Sequence, residues 1–303
     1  MKTYQVKQIN AFTSELFSGN PAGVVIDAQG LSDHTMQLIA REMNFSETAF
    51  ILPATSKADL QIRWFTPTTE VPLCGHATIA SFHALAEEGL FGMKKTGRYS
   101  FELQTRKGVL PVVVEKKFSG SIIEFGMPTP RFVEKNLPPK LLKALTLRAA
   151  DIDRRFPVVA DSYLYIPVRK LSALHRLQPD FAALQGISKA MKVLGICVLT
   201  LETVEESSAL HSRFFAPAVG INEDPVTGSA NGPLGLYLYK YVLPKGVPIP
   251  LLWLEDGRIE FIGEQGDAMG RKGRVKIRMQ VKKEEFISVA GEAVTVMSGT
   301  MNC

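Results

Sequence analysis

Short runs rich in β-branched and aromatic residues recur along the chain with turn residues between them, which predicts many short strands. They fall at Gly23-Val24-Val25-Ile26, Leu60 to Phe65, Val109 to Val114, Ile122 to Phe125 and Ile196 to Leu201. They continue at Arg213 to Phe215, Arg258 to Ile262, Val275 to Val281 and Ala293 to Met297. Helical periodicity is rarer. Ser32 to Met43 opens on Ser and Asp and carries Met36, Ile39, Ala40 and Met43 on one face, which predicts an amphipathic helix. Ala77 to Glu88 and Leu234 to Val242 are apolar nearly all round, which predicts helices buried on most sides. A few buried helices among many strands imply an α+β fold with sheets wrapped around helices.

The pattern also repeats. Arg63-Trp64-Phe65-Thr66-Pro67 returns 150 positions later as Arg213-Phe214-Phe215-Ala216-Pro217. Each string is followed by a loop with an acidic residue, a glycine turn and the start of an apolar helix. The turns are Cys74-Gly75-His76-Ala77 and Thr227-Gly228-Ser229-Ala230, and the second loop is three residues longer. Such an echo predicts an internal duplication, with two similar domains setting two similar turns across a cleft. Pro128, Pro130, Pro138 and Pro139 mark the boundary region.

Composition narrows the function. The 303 residues are 46% hydrophobic and 21% charged, which excludes a disordered chain, a fibre or a coiled coil. The net charge of +5 is spread over distant doublets, Lys94-Lys95, Lys116-Lys117, Arg154-Arg155 and Lys282-Lys283. That scatter speaks against nucleic acid and for an anionic small substrate. Cys74, Cys197 and Cys303 show no paired spacing and read as reduced thiols. With no secretory h-region and no apolar run of about 18 residues, a cytoplasmic protein without a membrane span is expected.

Each glycine turn opens a helix whose first N–H groups lack intrahelical partners, a natural carboxylate or phosphate site. The expected contacts are backbone amides around Gly75 and Ala77 in one turn and Thr227, Gly228 and Ala230 in the other. The plainer reading is that Gly75 and Gly228 only permit tight turns. Glu47 shares a strand face with Phe45, Ala49 and Ile51 by two-residue alternation, so its carboxyl should be desolvated and less acidic. That suits a general acid/base, though a strand-end Glu bonded to backbone is the alternative. His76 is either a proton carrier or a cap. His83 lies seven positions on along the same helix, but without a third ligand no metal is expected. Cys74 sits beside a helix N-terminus, yet a histidine only two positions away is a poor partner for a thiol nucleophile. Asp224 and Ser229 either make a turn and a cap or face Glu47 and His76. Gly263-Glu264-Gln265-Gly266 and Gly270-Arg271-Lys272-Gly273 read as polar turns able to add a cation. Phosphate loops, dinucleotide fingerprints and nucleophile elbows are missing from the sequence.

At AFTSELFSGNPAGVV (11–25), NFSETAFIL (44–52), RWFTPTTEVPLCGHATIA (63–80), FFAPAVGINEDPVTGSANGP (214–233) and AGEAVTVMSG (290–299) the chain resembles the PhzF family of phenazine-biosynthesis-like isomerases. Residue by residue, the resemblance implies an acid/base at Glu47 and helpers at His76, Asp224 and Ser229. It implies a diaminopimelate-epimerase-like fold of two similar domains, residues 1–118 with about 292–303 and residues 119–291, each a sheet around a central helix. It also implies no cofactor and commonly a homodimer, while the paired helix ends point to a small carboxylated substrate. Epimerases of this fold use one cysteine on each turn. Cys74 matches the first, but Thr227 stands at the second. A Cys74-dependent epimerase, racemase or dehydratase is the alternative enzyme, and a non-catalytic member binding a metabolite or protein is the third reading.

Overall fold

A computed structural model describes residues 2–281 and 286–303, so the doublet Lys282-Lys283 lies outside the described residues. The chain divides into two units, the residues up to Gly126 with Ala290–Cys303, and Met127–Val289. The first division falls after Gly126 rather than at residue 118, because Gly120 to Phe125 pair with residues 112 to 117 of the first unit.

In the first unit the strands are β1 (Thr3–Ala11), β2 (Asn20–Val25), β3 (Thr48–Leu52), β4 (Leu60–Phe65), β5 (Glu70–Val71), β6 (Gly97–Thr105), β7 (Gly108–Lys117) and β8 (Gly120–Met127). The last strand of the chain, β18 (Ile287–Asn302), joins them. Pairing runs β1–β2–β3–β4–β6–β7–β8–β18 and back to β1, a closed barrel. Two of the pairs, β2 with β3 and β4 with β6, are parallel. A parallel pair needs a crossover, and α1 (Asp33–Met43) and α2 (Gly75–Glu87) supply the two.

These helices differ as their sequences do. Ser32 caps α1, its Oγ accepting from the Thr35 N–H at 3.1 Å, and Met36, Ile39 and Ala40 pack against Tyr4, Val25, Phe50 and Phe65. In α2 every residue from His76 to Ala86 is buried. At its far end Lys7 Nζ, only 3% exposed as a residue, donates to Glu87 Oε2 at 2.6 Å and to Glu88. Lys116 Nζ donates to the carbonyls of Ala86 and Met93 at 2.5 and 2.7 Å. Cations thus meet the negative end of the helix.

The second unit contains β9 (Val133–Glu134), β10 (Val159–Ala160), β11 (Tyr163–Pro167), β12 (Gly195–Thr200), β13 (Leu210–Ala216), β14 (Ile221–Asp224), β15 (Leu252–Trp253), β16 (Arg258–Gln265) and β17 (Gly273–Gln280). The first unit's order recurs: β10–β11, parallel β11–β12, β12–β13, parallel β13–β16, then β16–β17. Its helices are α3 (Pro139–Ala144), α4 (Leu171–His175), α5 (Phe181–Met191) and α6 (Gly228–Tyr237). The first three cover one sheet face, with Leu141, Leu174, Leu184 and Ile187 on Leu164, Ile166, Val198 and Phe215.

Helix α6 starts at Gly228, where the second glycine turn is expected to open it, and continues through Pro233 and past Leu234 into a wider turn at Leu238–Val242. The small residues Gly232 and Gly235 let the helix lie close to its neighbours. A Cβ on Gly232 would stand 2.6 Å from Met127 Sδ, and one on Gly235 2.6 Å from Ile277 Cγ2.

Glu264 and Gln265, expected in a polar turn, are instead the buried end of β16. The Glu264 carboxylate accepts from the backbone N–H of Val204 and Glu205 and from His211 Nδ1, each at 2.8 Å. Burial alone would raise its pKa. Those donors and the Arg274 charge outweigh it and hold the carboxyl at about 2, below the ordinary 4.5. A depressed carboxyl stabilises the fold above its unfolded value and loses that contribution as pH falls towards 2. Glu264→Gln should therefore lower stability at pH 7 by about 2–4 kcal/mol. In thermal melts the gap between parent and variant should narrow below pH 4.5; a gap that stays constant would dismiss this role.

Candidate functional site

Arg63 and its surroundings position the first turn. Its Nε and Nη2 donate to Glu70 Oε1 and Oε2, each at 2.8 Å, and its guanidinium lies 5.2 Å from the Phe65 ring centre. This bidentate pair pins the loop just before the chain turns into α2. Cys74 is extended (φ −139°, ψ 120°), and the helix begins at Gly75. The Cys74 carbonyl accepts from both the N–H and the Oγ1 of Thr78, at 3.1 and 2.6 Å. A Cβ on Gly75 would stand 3.0 Å from Phe125 Cζ, so the turn has room for little else.

Three of the expected residues meet there. Glu47 Oε2 lies 3.4 Å from His76 Nε2, and Ser46 Oγ lies 3.3 Å from the same nitrogen. Cys74 Sγ is 3.4 Å from His76 Nδ1. Glu47, Cys74 and His76 are 8%, 7% and 6% exposed. Burial raises the Glu47 pKa above the ordinary carboxyl value, against weaker lowering by hydrogen bonds with Ser46 and Cys74. The expected reason for that burial needs correcting. Glu47 precedes β3, and Thr48 to Ile51 are buried on both faces, so alternation does not distinguish a side. The Glu47 carbonyl accepts from the Gly23 N–H at 3.2 Å and anchors the residue beside α2.

The contact between Cys74 and His76 is closer than their spacing predicts, because an extended residue followed by a helical turn swings both side chains to one side. Its geometry is nevertheless not that of a nucleophilic dyad. The two ring nitrogens point roughly 144° apart, so a sulfur on the Nδ1 axis would lie about 5 Å or more from Nε2. The observed 3.9 Å to Nε2 puts Sγ against the side of the ring. As for metal, a Glu47 oxygen, Cys74 Sγ and a His76 nitrogen lie within 4.8 Å of one another, a donor set of zinc type. The same off-axis sulfur requires the ring to turn before all three could share an ion. His83 takes no part in that set, and its Nδ1 lies 3.4 Å from Ser121 Oγ.

The second turn repeats the clamp. Arg213 Nε and Nη2 donate to Glu223 Oε1 and Oε2, each at 2.8 Å, with the guanidinium 5.1 Å from the Phe215 ring centre. The carboxylate partner lies ten residues on rather than seven, so the three extra residues fall inside the clamped loop. Asn231 Nδ2 donates to the Thr227 carbonyl at 3.0 Å, as Thr78 does to Cys74.

Thr227 Oγ1 donates to Asp224 Oδ2 at 2.5 Å, and Ser229 Oγ lies 2.9 Å from Tyr163 Oη. Two of the amides expected to hold substrate are already used. The Thr227 N–H donates to Gln265 Oε1 at 3.0 Å, and the Ala230 N–H to the Thr227 carbonyl at 3.2 Å. Ser46, Tyr163 and Gln265 are absent from the sequence-based site. Gln265 does not stand out in the sequence, because β16 also carries Arg258, Glu260 and Glu264.

The whole chain has known relatives. Residues 9–299 match the family model described as phenazine biosynthesis-like protein. An uncharacterized isomerase of Clostridium acetobutylicum is 38% identical, over 99% of both chains. Trans-2,3-dihydro-3-hydroxyanthranilate isomerase of Pseudomonas aeruginosa is 31% identical over 96% of both. The crystal structure of a Bacillus anthracis phenazine biosynthesis protein of the PhzF family superimposes with a TM-score of 0.88 at 32% identity, covering 100% of each chain. A hydroxyproline epimerase from Agrobacterium vitis shares the fold at 12% identity, with a TM-score of 0.61 over 99% of this chain and 91% of that one. With the family match, the isomerase relatives and the shared fold in agreement, the chain belongs to the phenazine-biosynthesis-like PhzF family and is an isomerase.

Proposed function

We propose that the protein is a cofactor-independent isomerase of a small carboxylated metabolite, with Glu47 as its general acid/base. The observation that carries this reading is a buried carboxyl of raised pKa touching His76 at the N-terminus of α2. As a carboxylate, Glu47 removes a proton from a carbon activated by a neighbouring group of the substrate. As a carboxylic acid it returns that proton to another carbon of the same molecule, which shifts the double bond and leaves the enzyme unchanged. The helix end favours the negative charge that develops between the two transfers. His76 and Ser46 hold the carboxyl in place, while Asp224 and Ser229 bind polar groups of the substrate. The name of the Pseudomonas aeruginosa relative is that of a carboxylated ring compound, which agrees with this substrate class.

Glu47→Gln keeps the shape of the side chain and removes the proton carrier. Turnover should fall by roughly 10²–10⁴-fold, with ligand affinity little changed. The measurement is deuterium incorporation from D₂O into a panel of amino acids and cyclic hydroxy acids, including trans-2,3-dihydro-3-hydroxyanthranilate. A variant exchanging at the parent rate would remove Glu47 from the mechanism. A carboxyl raised by burial destabilises the fold increasingly as pH rises from its unfolded value towards its folded one. The variant should therefore be at least as stable as the parent at pH 7, and parent activity should rise with pH along a limb above the ordinary 4.5.

The cysteine-dependent reading has one observation in its favour, the position of Cys74 beside His76 at a helix start. Against it, the matching position is Thr227, whose hydroxyl is already bonded to Asp224. Cys74→Ser should keep most of the exchange activity. Loss of several orders of magnitude, or inversion of stereochemistry by the parent, would favour the epimerase, and binding without exchange would favour a non-catalytic role.

A further inference from the structure

We infer that Gln265 is a positioning residue, one that aims the Thr227 hydroxyl at Asp224 and so presents the Asp224 carboxylate during turnover. This rests on the role proposed for Asp224 above. A primary amide offers two N–H donors and one oxygen with two lone pairs. Gln265, 1% exposed, uses all four. Its Oε1 accepts from the Thr227 N–H at 3.0 Å and from Asn231 Nδ2 at 2.7 Å. Its Nε2 donates to the Asp224 carbonyl at 2.8 Å and to Thr227 Oγ1 at 3.1 Å.

The direction of every bond follows. A backbone N–H only donates and a backbone carbonyl only accepts, so the amide cannot be turned over. Thr227 Oγ1 must therefore accept from Gln265. Its single proton goes the other way, to Asp224 Oδ2 at 2.5 Å. The carboxylate oxygen is then an acceptor with a fixed partner, and the chain Gln265 to Thr227 to Asp224 has one polarity.

The same amide joins both ends of the Asp224–Thr227 loop to the first turn of α6 through Asn231. The strand makes room for this knot. A Cβ on Gly263 would lie 2.6 Å from Asn231 Oδ1, and residue 263 has none.

The test compares Gln265→Glu, Thr227→Val, Thr227→Ser and Asp224→Asn by initial rates of deuterium incorporation across the panel, with melts alongside. Gln265→Glu cannot donate to Thr227. It should lower the maximal exchange rate by about tenfold or more, with a smaller change in the half-saturating concentration. Thr227→Val cuts the relay but leaves the backbone bonds of Gln265, so it should lose rate with little loss of melting temperature. Thr227→Ser should recover most of that loss. In the Thr227→Val background, Gln265→Glu should cost little additional rate, which identifies Thr227 as the residue through which Gln265 acts. Thr227→Val at the parent rate beside an impaired Asp224→Asn would overturn the inference while leaving the proposed function standing. Asp224→Asn at the parent rate, or a parent that exchanges no panel compound, would bring down the reading of Asp224 and the inference with it.

Discussion

Everything in the first unit depends on a helix enclosed by sheet. Once α2 is surrounded by a closed barrel and buried from His76 to Ala86, its sides are mostly apolar, and the polar groups among them are bonded, Thr78 and Ser81 to helix carbonyls and His83 beside Ser121. One end is neutralised by Lys7 and Lys116. The other keeps its N–H groups and their partial positive charge beside Glu47, Cys74 and His76. A carboxyl brought to such a place loses water, and its affinity for a proton rises. The barrel thus sets the surroundings that raise the pKa of Glu47.

The Arg–Glu clamps solve a linked problem. A strand at the barrel wall must hand the chain to a helix inside it, and the connecting loop must be held while the turn forms. Arg63 with Glu70 and Arg213 with Glu223 do this with the same bidentate geometry and the same aromatic ring under the guanidinium. Beyond the clamp the two turns diverge. The first brings together groups that can carry protons, whereas the second ties its own threonine, aspartate and asparagine into one network through Gln265.

Much of this was legible in the residues. The repeated Arg-aromatic-aromatic-x-Pro string marks both clamps, and the all-apolar segment after Gly75 marks the enclosed helix. Cys74 and His76 could be named because they flank the glycine turn before that helix, and Glu47 because it is a carboxylate among apolar strand residues. What stayed hidden depends on distant parts of the chain meeting. Gln265 reaches Thr227 only because β16 lies beside β13, a pairing over some fifty residues that no local pattern records. The strands Thr3–Ala11 and Gly97–Thr105 carry Lys, Gln, Arg and Glu among their apolar residues, which obscures their period.

The three additional residues of the second loop sit between Arg213 and the glutamate that pins it, upstream of Thr227 and Asp224. Length is therefore absorbed before the chain reaches the turn, and the turn keeps its geometry whatever the loop does. The longer loop is itself held, since Pro217 is buried and its carbonyl accepts from Gln185 Nε2 at 3.2 Å. From the pinned glutamate to the start of the helix the spacing is the same in both turns, Glu70 to Gly75 and Glu223 to Gly228, so the clamp fixes the approach to each helix whatever length precedes it.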